Sequence, residues 1–262
     1  MTKTILITSC KGGVGKSTVA VGLALSLAKH EKKVLLIDCD FDMRCLDLML
    51  GLEDSVVYDL SDVIEKRVSL ERAVIRDARS ENFYFLAAPS ERSYQVTEDG
   101  FSALMAEVKS SGGYDFILLD TPGSLVMPAV TAAGIADSAI IVASHQPISL
   151  RAACQTDEYL AEKGILERRL IINQFDLEGT LKRERPGINE IIDKSSVRLL
   201  GAIPFDTEVA PAAEKGIPAC ELKKTNLPKA FDHIAMRVIG YYVPLFHRFR
   251  GYSGRKIKKL FG

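Results

Sequence analysis

The stretch "SCKGGVGKST" at residues 9–18 decides the fold because it carries most features of a phosphate-binding loop. The strict pattern G-x-x-x-x-G-K-[ST] requires glycine where Cys10 stands, and a second lysine, Lys11, lies inside the loop. The preceding "KTILIT" is typical of a buried strand, and the following "KSTVAVGLALSLAKH" is typical of a helix. The sequence therefore poses a choice between a damaged phosphate loop and a variant in which Lys11 has its own function.

The glycines of this turn suit it to binding an anion. Glycine adopts backbone angles that other residues avoid, so successive N–H groups can point inward at the start of a helix. Lys16 would then reach the β- and γ-phosphates of a nucleotide, and the Ser17 hydroxyl would bind Mg²⁺. The alternative is a glycine-rich turn whose lysines are there by chance. The predicted nucleotide-binding residues of the loop are Gly12, Gly13, Val14, Gly15, Lys16, Ser17 and Thr18.

Short β-branched runs alternate with helical patterns along nearly the whole chain. Continuous apolar strands separated by helices indicate a parallel sheet covered on both faces. We therefore predict a doubly wound α/β fold with a mainly parallel sheet. The predicted strands are 4–9, 33–38, 82–88, 115–120, 138–144, 169–175 and 197–205, and the main predicted helices are 16–30, 97–110, 149–163 and 227–243.

The composition favours one large domain with a short tail. The 262 residues include 47% apolar residues, enough for a substantial core, and no interior linker or repeat divides them. The character of the sequence changes only after Pro244, where it becomes basic and punctuated by glycine. The predicted organisation is a nucleotide-binding domain at 1–244 and a tail at 245–262.

Charge and cysteine usage limit the classes of function. Basic and acidic residues both number 34, so net charge gives no argument for nucleic acid, but seven Lys or Arg and no acidic residue follow Asp232. Five scattered cysteines without a C-x-x-C pair argue against a disulfide framework and against a zinc or iron–sulfur site. The start of the chain lacks the features of a secretion signal, and no apolar run reaches ~18 residues. We expect an intracellular protein that does not span a membrane.

The stretch "KGGVGKST" at 11–18 resembles the deviant Walker A loop of the ParA/MinD family of P-loop ATPases, whose members have various residues where Cys10 stands. The resemblance implies a variant loop and the P-loop NTPase fold. In this family the early lysine, here Lys11, contacts ATP bound by the other subunit of a homodimer. A cation delivered across the dimer neutralises charge on the transferring phosphoryl group, as an arginine finger does. Dimerisation would then depend on ATP.

The stretch "LLIDCDFDMRCLDLMLGLED" at 35–54 is similar to the first switch region of MinD-like members, including Arg44 and the "LDL" that follows Cys45. The resemblance implies that Asp40 positions the attacking water and that Asp38 lies near the magnesium ion. The alternative for both aspartates is capping at the end of a strand.

The stretch "DFILLDTPGS" at 115–124 resembles a Walker B strand with a second switch. Asp120 would hold Mg²⁺ through water, and "TPG" would form a hinge. The family more often has Pro-Ala-Gly or Pro-Pro-Gly at this position. The alternative for Asp120 is a simple strand terminus.

The stretches "RLIINQF" at 169–175 and "GAIPFDTEV" at 201–209 resemble the base-binding end of the fold. Asn173 would read the adenine edge, and the backbone around Pro204 and Asp206 would frame the ring. An asparagine after a strand fits turn capping equally well.

The basic tail has a two-sided pattern on a helical projection of 252–262. Ile257, Leu260 and Phe261 fall within an arc of about 100°. This arrangement is typical of a short amphipathic helix in a membrane interface, and it is similar to the membrane-targeting sequence of MinD-like members. The alternative is a solvated, frayed terminus. The opposite side carries Arg255, Lys256, Lys258 and Lys259.

Taken together, the resemblance implies a MinD-like ATPase that regulates division-site placement. It would bind ATP and Mg²⁺, form an ATP-dependent homodimer, and attach peripherally to the anionic inner face of the cell membrane from the cytoplasm. Hydrolysis would reverse this, with an effector or activator of the MinC or MinE kind.

Two other members of the family stay open as alternatives. They are a regulator of flagellar number of the FlhG type and a DNA-segregating ParA. An apolar stripe at the terminus has no use on DNA, so we expect no specific nucleic-acid partner. Iron–sulfur carriers are disfavoured by the missing cysteine pairs. A non-catalytic binding module would have to explain Asp40 and Asp120 beside an intact "GKST".

Overall fold

The computed structural model describes residues 2–91, 94–123 and 129–262. Its centre is an eight-stranded sheet in the order β3-β4-β2-β5-β1-β6-β7-β8. Neighbouring strands are parallel, except that the two-residue β3 runs antiparallel to β4. The strands are β1 (Lys3–Thr8), β2 (Val34–Asp38), β3 (Ile75–Arg76), β4 (Phe83–Leu86), β5 (Phe116–Asp120), β6 (Ser138–Ala143), β7 (Glu167–Phe175) and β8 (Leu199–Pro204).

Helices follow most strands. The longer ones are α1 (Lys16–Lys29), α5 (Glu98–Ser110), α7 (Pro147–Glu162) and α11 (Leu227–Ile239). The shorter ones are α2 (Leu46–Leu50), α3 (Leu60–Ile64), α4 (Leu70–Ala73), α6 (Ala129–Ile135), α8 (Leu177–Leu181), α9 (Ile188–Ser195), α10 (Val209–Ala213) and α12 (Arg255–Lys259). Single 3₁₀ turns lie at Glu53–Ser55 and Ala219–Glu221.

The mainly parallel doubly wound sheet confirms the predicted fold class, and each of the seven predicted strands is present. Every residue of β2, β5 and β6 is buried, as expected for strands covered on both faces. The sequence analysis missed β3, because two residues are too few to show a periodic pattern. In the described ranges, no helix combines the length and apolar character needed to cross a membrane.

The sheet brings the ends of distant strands to one edge. β1 lies between β5 and β6. Strands β2 to β5 lie on one side of β1, and strands β6 to β8 lie on the other side. Ligands in such sheets bind beyond the carboxyl ends of the strands, near the point where strand order reverses. The loops after β1, β2, β5, β7 and β8 carry the predicted nucleotide-site residues, so the topology places all of these loops at this edge.

The tail differs from the projected helix. Only Arg255–Lys259 is helical, because Gly251 and Gly254 adopt left-handed φ angles of 79° and 46° that interrupt it. Leu260 is fully buried, and Ile257 and Phe261 pack against the core.

The end of the tail is also bonded to the body of the protein. The N–H of Ile188 donates to the Leu260 carbonyl at 2.9 Å, and that of Asn189 to the Phe261 carbonyl at 3.1 Å. A Cβ at Gly187 would come within 2.7 Å of the backbone of Gly262. The apolar side of the tail therefore faces the protein body, not solvent.

The central helix α1 is buried at most positions because its residues are small or apolar. Gly22 lies against the ring of Phe231 on α11, and a Cβ at Gly22 would collide with that ring. Helices α1 and α11 therefore pack closely at this point because Gly22 has no side chain.

We predict that Gly22→Ala lowers the free energy of unfolding by about 1–3 kcal/mol through overpacking against Phe231. Urea denaturation measures the change. In the double variant Gly22→Ala/Phe231→Leu, the smaller side chain makes room for the added methyl group. Its cost should therefore be less than the sum of the two single costs, and additive costs would contradict the proposed contact.

Candidate functional site

The loop between β1 and α1 has the backbone of an anion-binding turn. Gly13 and Gly15 adopt φ angles of 76° and 84°, and Gly15 is the residue before the first turn of α1. A Cβ at Gly15 would also collide with the amide of Asn173. Gly12 is exposed and has no positive φ, so two of the three predicted glycines use the conformation that favours glycine.

Side chains at the end of β7 form hydrogen bonds with the backbone of this loop. The side-chain amide of Asn173 donates to the Val14 carbonyl at 2.8 Å, and that of Gln174 donates to the Gly13 carbonyl at 3.4 Å. Neither the base-contact interpretation of Asn173 nor the turn-capping one anticipated this bond. Asn173 therefore has a structural role in holding the loop, whatever it contacts in a ligand.

The predicted base-binding residues line one cavity of about 310 Å³. Asn173, Pro204 and Asp206 are among its walls, together with Gly15 and Thr18 of the phosphate loop. Its apolar surface comes partly from Phe205, which is 60% exposed. A cleft with apolar walls and a few polar groups beside an anion-binding loop has the chemistry that a nucleotide base requires.

Lys16 lies inside the site. Its side chain is buried, and its charge favours the ionised form of the nearby Asp120. Gly123 of the "TPG" turn approaches this lysine closely: a Cβ there would lie 3.3 Å from Lys16 Nζ and from the backbone of Gly12. The "TPG" turn therefore lies close against the phosphate loop at Gly123.

Two buried carboxylates stand side by side beneath the loop. Asp38 and Asp120 are register partners on β2 and β5, and both are fully buried. Burial raises the pKa of Asp38 to about 7. Burial, and then the neighbouring Asp38, raise the pKa of Asp120 to about 8. Neither Asp120 oxygen has a hydrogen bond of ordinary geometry within the described ranges, although the nearby Ser17 hydroxyl and Lys16 ammonium lower its pKa and so favour its ionised form. This carboxylate is therefore a poorly satisfied acceptor.

Asp38 has partners that sequence reasoning missed. Its carboxylate accepts N–H bonds from Asp40 at 3.0 Å, Cys45 at 3.3 Å and Leu46 at 3.2 Å. It therefore anchors the first switch region from residue 40 to the start of α2. The sequence shows that Asp38 stands at the end of a strand and before a loop. This pattern does not indicate which backbone amides the carboxylate binds.

The oxygen donors at this point fit a magnesium ion. Mg²⁺ prefers oxygen ligands and retains several waters, and the Ser17 hydroxyl and the poorly satisfied Asp120 carboxylate are such donors. Asp38 is already engaged with backbone amides and suits a position further from the ion. Burial raises the pKa of Cys45, whose Sγ lies 3.8 Å from Ser17 Oγ, to about 12, so its thiol stays neutral. Among the described residues no three His, Cys, Asp or Glu side chains are grouped as metal ligands, so phosphate and water oxygens would complete the shell.

Asp40 lies at the mouth of the site. Its carboxylate accepts the N–H of Met43 at 3.1 Å and so closes a turn in the first switch. Arg44 pairs with Asp47 at 2.7 Å and fixes the other end of the same segment. This geometry accounts for Asp40 as a turn residue that is partly exposed, and its charge is close enough to raise the pKa of Asp38 and of Asp120.

Lys11 is held outside the loop that it belongs to. Its Nζ donates to the side-chain oxygen of Gln146, just before α7, at 2.7 Å. Gln146 is a neutral, exposed partner that a phosphate oxygen can replace. No local pattern indicates this contact, because 135 positions separate the two residues.

Comparison with known proteins identifies a nucleotide-binding family. The profile of the CobQ/CobB/MinD/ParA nucleotide binding domain matches residues 5–219. The chain is 33% identical over 267 residues to the septum site-determining protein MinD of Bacillus subtilis (strain 168), covering 100% of this chain and 99% of that one.

Two solved structures are similar along nearly their whole length. One is a chain of the MinC:MinD cell division protein complex of Aquifex aeolicus, with a TM-score of 0.87, 32% identity, and coverage of 94% of this chain and 99% of that one. The other is the septum site-determining protein MinD of Pyrococcus horikoshii OT3 complexed with Mg-ADP, with a TM-score of 0.80, 31% identity, and coverage of 92% and 97%.

The raised pKa values of the two carboxylates predict the pH dependence of the nucleotide-free protein. Between the unfolded value of 3.8 and folded values of about 7 and 8, the folded state binds more protons than the unfolded state. The stability that these groups contribute is therefore lost as pH rises through about 7 to about 8.

Asp120→Asn should flatten this loss, because it removes one buried charge. Urea denaturation from about pH 6 to about pH 9, without nucleotide or divalent cations, measures the slope. Asp54→Asn, at an exposed position, is the matched control and should keep the wild-type slope. An unchanged slope in Asp120→Asn would contradict the assignment.

Proposed function

The chain belongs to the CobQ/CobB/MinD/ParA family of nucleotide-binding domains, and we propose that it is a MinD-like ATPase that places the site of cell division. ATP joins two copies, the dimer binds the membrane, and hydrolysis releases both. The observation that carries the proposal is the division of roles between two lysines of one loop. Lys16 is buried within its own site, whereas Lys11 stands at the edge with a neutral, replaceable partner.

ATP binding follows from the geometry of the loop and the cavity beside it. The N–H groups from Gly12 to Thr18 surround the phosphates, and the Lys16 ammonium contacts the β- and γ-phosphates. The base enters the cavity of about 310 Å³, where Asn173 lies next to the loop it supports. Pro204 and Asp206 frame the ring from the end of β8.

Ser17 and Asp120 would hold Mg²⁺, with Asp38 behind them. When bound, the ion neutralises charge on the phosphate oxygens. Binding would also compensate the buried carboxylate that the nucleotide-free protein leaves poorly satisfied. Because the pKa of Asp120 is about 8, its carboxyl group would have to give up a proton to hold a cation near neutral pH.

Hydrolysis of ATP to ADP and phosphate requires a positioned water on the γ-phosphate. Asp40 is the carboxylate for this role, because it stands at the mouth of the site on a turn that Asp38 anchors. The second switch reaches the same place through Gly123, next to Lys16. Both switches therefore contact the position where the γ-phosphate is lost.

Lys11 serves the other subunit. Its release from Gln146 lets it approach phosphates bound by the partner, where a second cation stabilises the transferring phosphoryl group. Because this contact needs the γ-phosphate, ATP favours the dimer and ADP does not.

We predict that substitutions of the two lysines impair different steps. Lys16→Ala should abolish ATP binding, because it removes the cation from its own site. Lys11→Ala should bind ATP as a monomer and lose most turnover. Calorimetric ATP titration, light-scattering mass and phosphate release measure the three properties.

Lys163→Ala, an exposed position at the end of α7, is the control and should behave as wild type. Normal ATP-dependent dimers of Lys11→Ala would refute the role of Lys11 across the dimer.

Membrane attachment would use the tail at 245–262. In the structure the apolar side of this tail packs against the protein, so it would have to detach before it enters lipid. Burial of an apolar side chain is worth roughly 1.5–3 kcal/mol, but Leu260 is already buried against the protein. Moving one tail into lipid therefore gains little beyond up to about 1 kcal/mol for each cation near an anionic surface. A dimer presents two tails, and linked binding raises avidity by about 10²–10⁴. Attachment then follows ATP.

The division-site role rests on the names of the relatives, which are septum site-determining proteins. The Aquifex complex supports a MinC-like protein as partner. A flagellar role would use the same chemistry with another partner.

We predict that the protein sediments with phosphatidylglycerol-containing vesicles in ATP and much less in ADP or without nucleotide. Phe261→Glu should lower sedimentation, because a carboxylate cannot enter the apolar interior. Truncation after Gly254 should abolish it. Leu166→Glu, at a position that is 91% exposed and belongs neither to the tail nor to its surroundings, is the control for added charge. Equal sedimentation in ADP and ATP would reject the two-tail switch, and undiminished sedimentation of the truncated protein would reject the tail as anchor.

A further inference from the structure

A basic pocket lies between the end of α1 and the start of α11, apart from the nucleotide cavity. Its volume is about 520 Å³, and four cationic side chains line it with a single carboxylate, Glu221. Ile217 and Pro228 give it an apolar wall. The four cations of the basic pocket are Lys29, Lys223, Lys229 and Arg250.

The charges of the basic pocket are not balanced internally. Within the part of the chain that the structure describes, none of its four cations forms an ion pair. The first turn of α11 adds the positive end of a 13-residue helix at the same place. A concave site with surplus positive charge attracts an anion and holds it better than scattered surface lysines do.

The pocket is also preorganised. Asn226 holds the backbone of Arg250 by two hydrogen bonds, accepting its N–H at 2.7 Å and donating to its carbonyl at 3.2 Å. Lys229 donates to the Arg248 carbonyl. Phe249, which follows Arg248 and precedes Arg250 in the sequence, is buried. The chain after α11 is therefore fixed against the start of that helix, with its cations outward.

The cations of the basic pocket continue into the tail. Lys256 of α12 donates to the carbonyl of Gly251, next to Arg250, at 3.1 Å. On the other side, Tyr242 is 91% exposed and lines a neighbouring cleft with Lys229 and Arg248. Exposed tyrosines beside cations suit the headgroup level of a membrane. The proposed attachment of the neighbouring tail to an anionic membrane points to the same partner.

We propose that the basic pocket binds the phosphate headgroup of an anionic lipid, so that the folded body makes a membrane contact besides the tail. The inference rests on the membrane role in the proposed function. The phosphate would lie among the four cations, and the glycerol part of the lipid against Ile217 and Pro228. This contact would fix the orientation of the body on the bilayer, with the start of α11 toward the lipid.

The test measures binding of dihexanoylphosphatidylglycerol below its micelle concentration to the full-length, nucleotide-free protein, by calorimetry. Saturable binding at one site is expected. Lys223→Gln/Lys229→Gln/Arg250→Gln should weaken it by about 10- to 100-fold. The matched control Lys66→Gln/Arg76→Gln/Lys163→Gln removes the same charge from exposed positions that do not line the pocket and should bind normally. Inorganic phosphate and a short DNA duplex are titrated in parallel.

Equal weakening in the two triple variants would overturn the proposal, because it would show an unspecific effect of net charge. Saturable binding of inorganic phosphate or duplex with none of the lipid would also overturn it, in favour of those ligands. The soluble lipid requires neither dimer nor bilayer. A wild-type protein that binds it but fails to sediment with vesicles in ATP would therefore refute the proposed function and leave the pocket assignment standing.

Discussion

The site depends on one unfavourable arrangement, two fully buried carboxylates on adjacent parallel strands. Asp38 and Asp120 are placed side by side by the register of β2 and β5, and burial makes their ionised forms costly. Backbone amides of the first switch satisfy Asp38. Among the described residues no hydrogen bond of ordinary geometry satisfies Asp120, and the nearby Ser17 and Lys16 only partly offset the cost of its burial. The nucleotide edge is therefore built to receive a cation, and the first switch is fastened to the same pair.

The negative charge of ATP increases the need for cations at this site. In the proposed cycle, this need would favour the dimer. The phosphates bring several negative charges to a site that already holds a carboxylate pair, and one subunit supplies a single buried lysine, Lys16. Loop N–H groups and Mg²⁺ offset part of the remainder. In the proposed dimer, Lys11 of a second copy would offset more, at the position where charge develops during phosphoryl transfer. Dimerisation, and through it the number of tails at a membrane, would then depend on the γ-phosphate.

The sequence predicted what depends on local pattern. Apolar runs predicted each long strand, and three glycines followed by Lys16 and Ser17 predicted the loop. The contacts that complete the site lie between distant positions: Asn173 with Val14 is separated by 159 positions, and Lys11 with Gln146 by 135. Only the packed sheet brings such pairs together, so no local pattern reports them. The tail shows the same limit, because its period revealed an apolar side but not that Leu260 is buried and that its carbonyl is bonded to the first residue of α9.

The central claim is that Lys11 acts in the site of the other subunit, and mixing two inactive variants tests it most directly. Lys11→Ala lacks the lysine for its partner, and Asp40→Ala lacks the carboxylate for its own site. In a mixed dimer the Lys11→Ala subunit keeps Asp40 and receives Lys11 from its partner, so one of the two sites is complete. The account predicts that phosphate release returns on mixing, toward half the wild-type rate per mixed dimer. A mixture as inactive as its two components would contradict it.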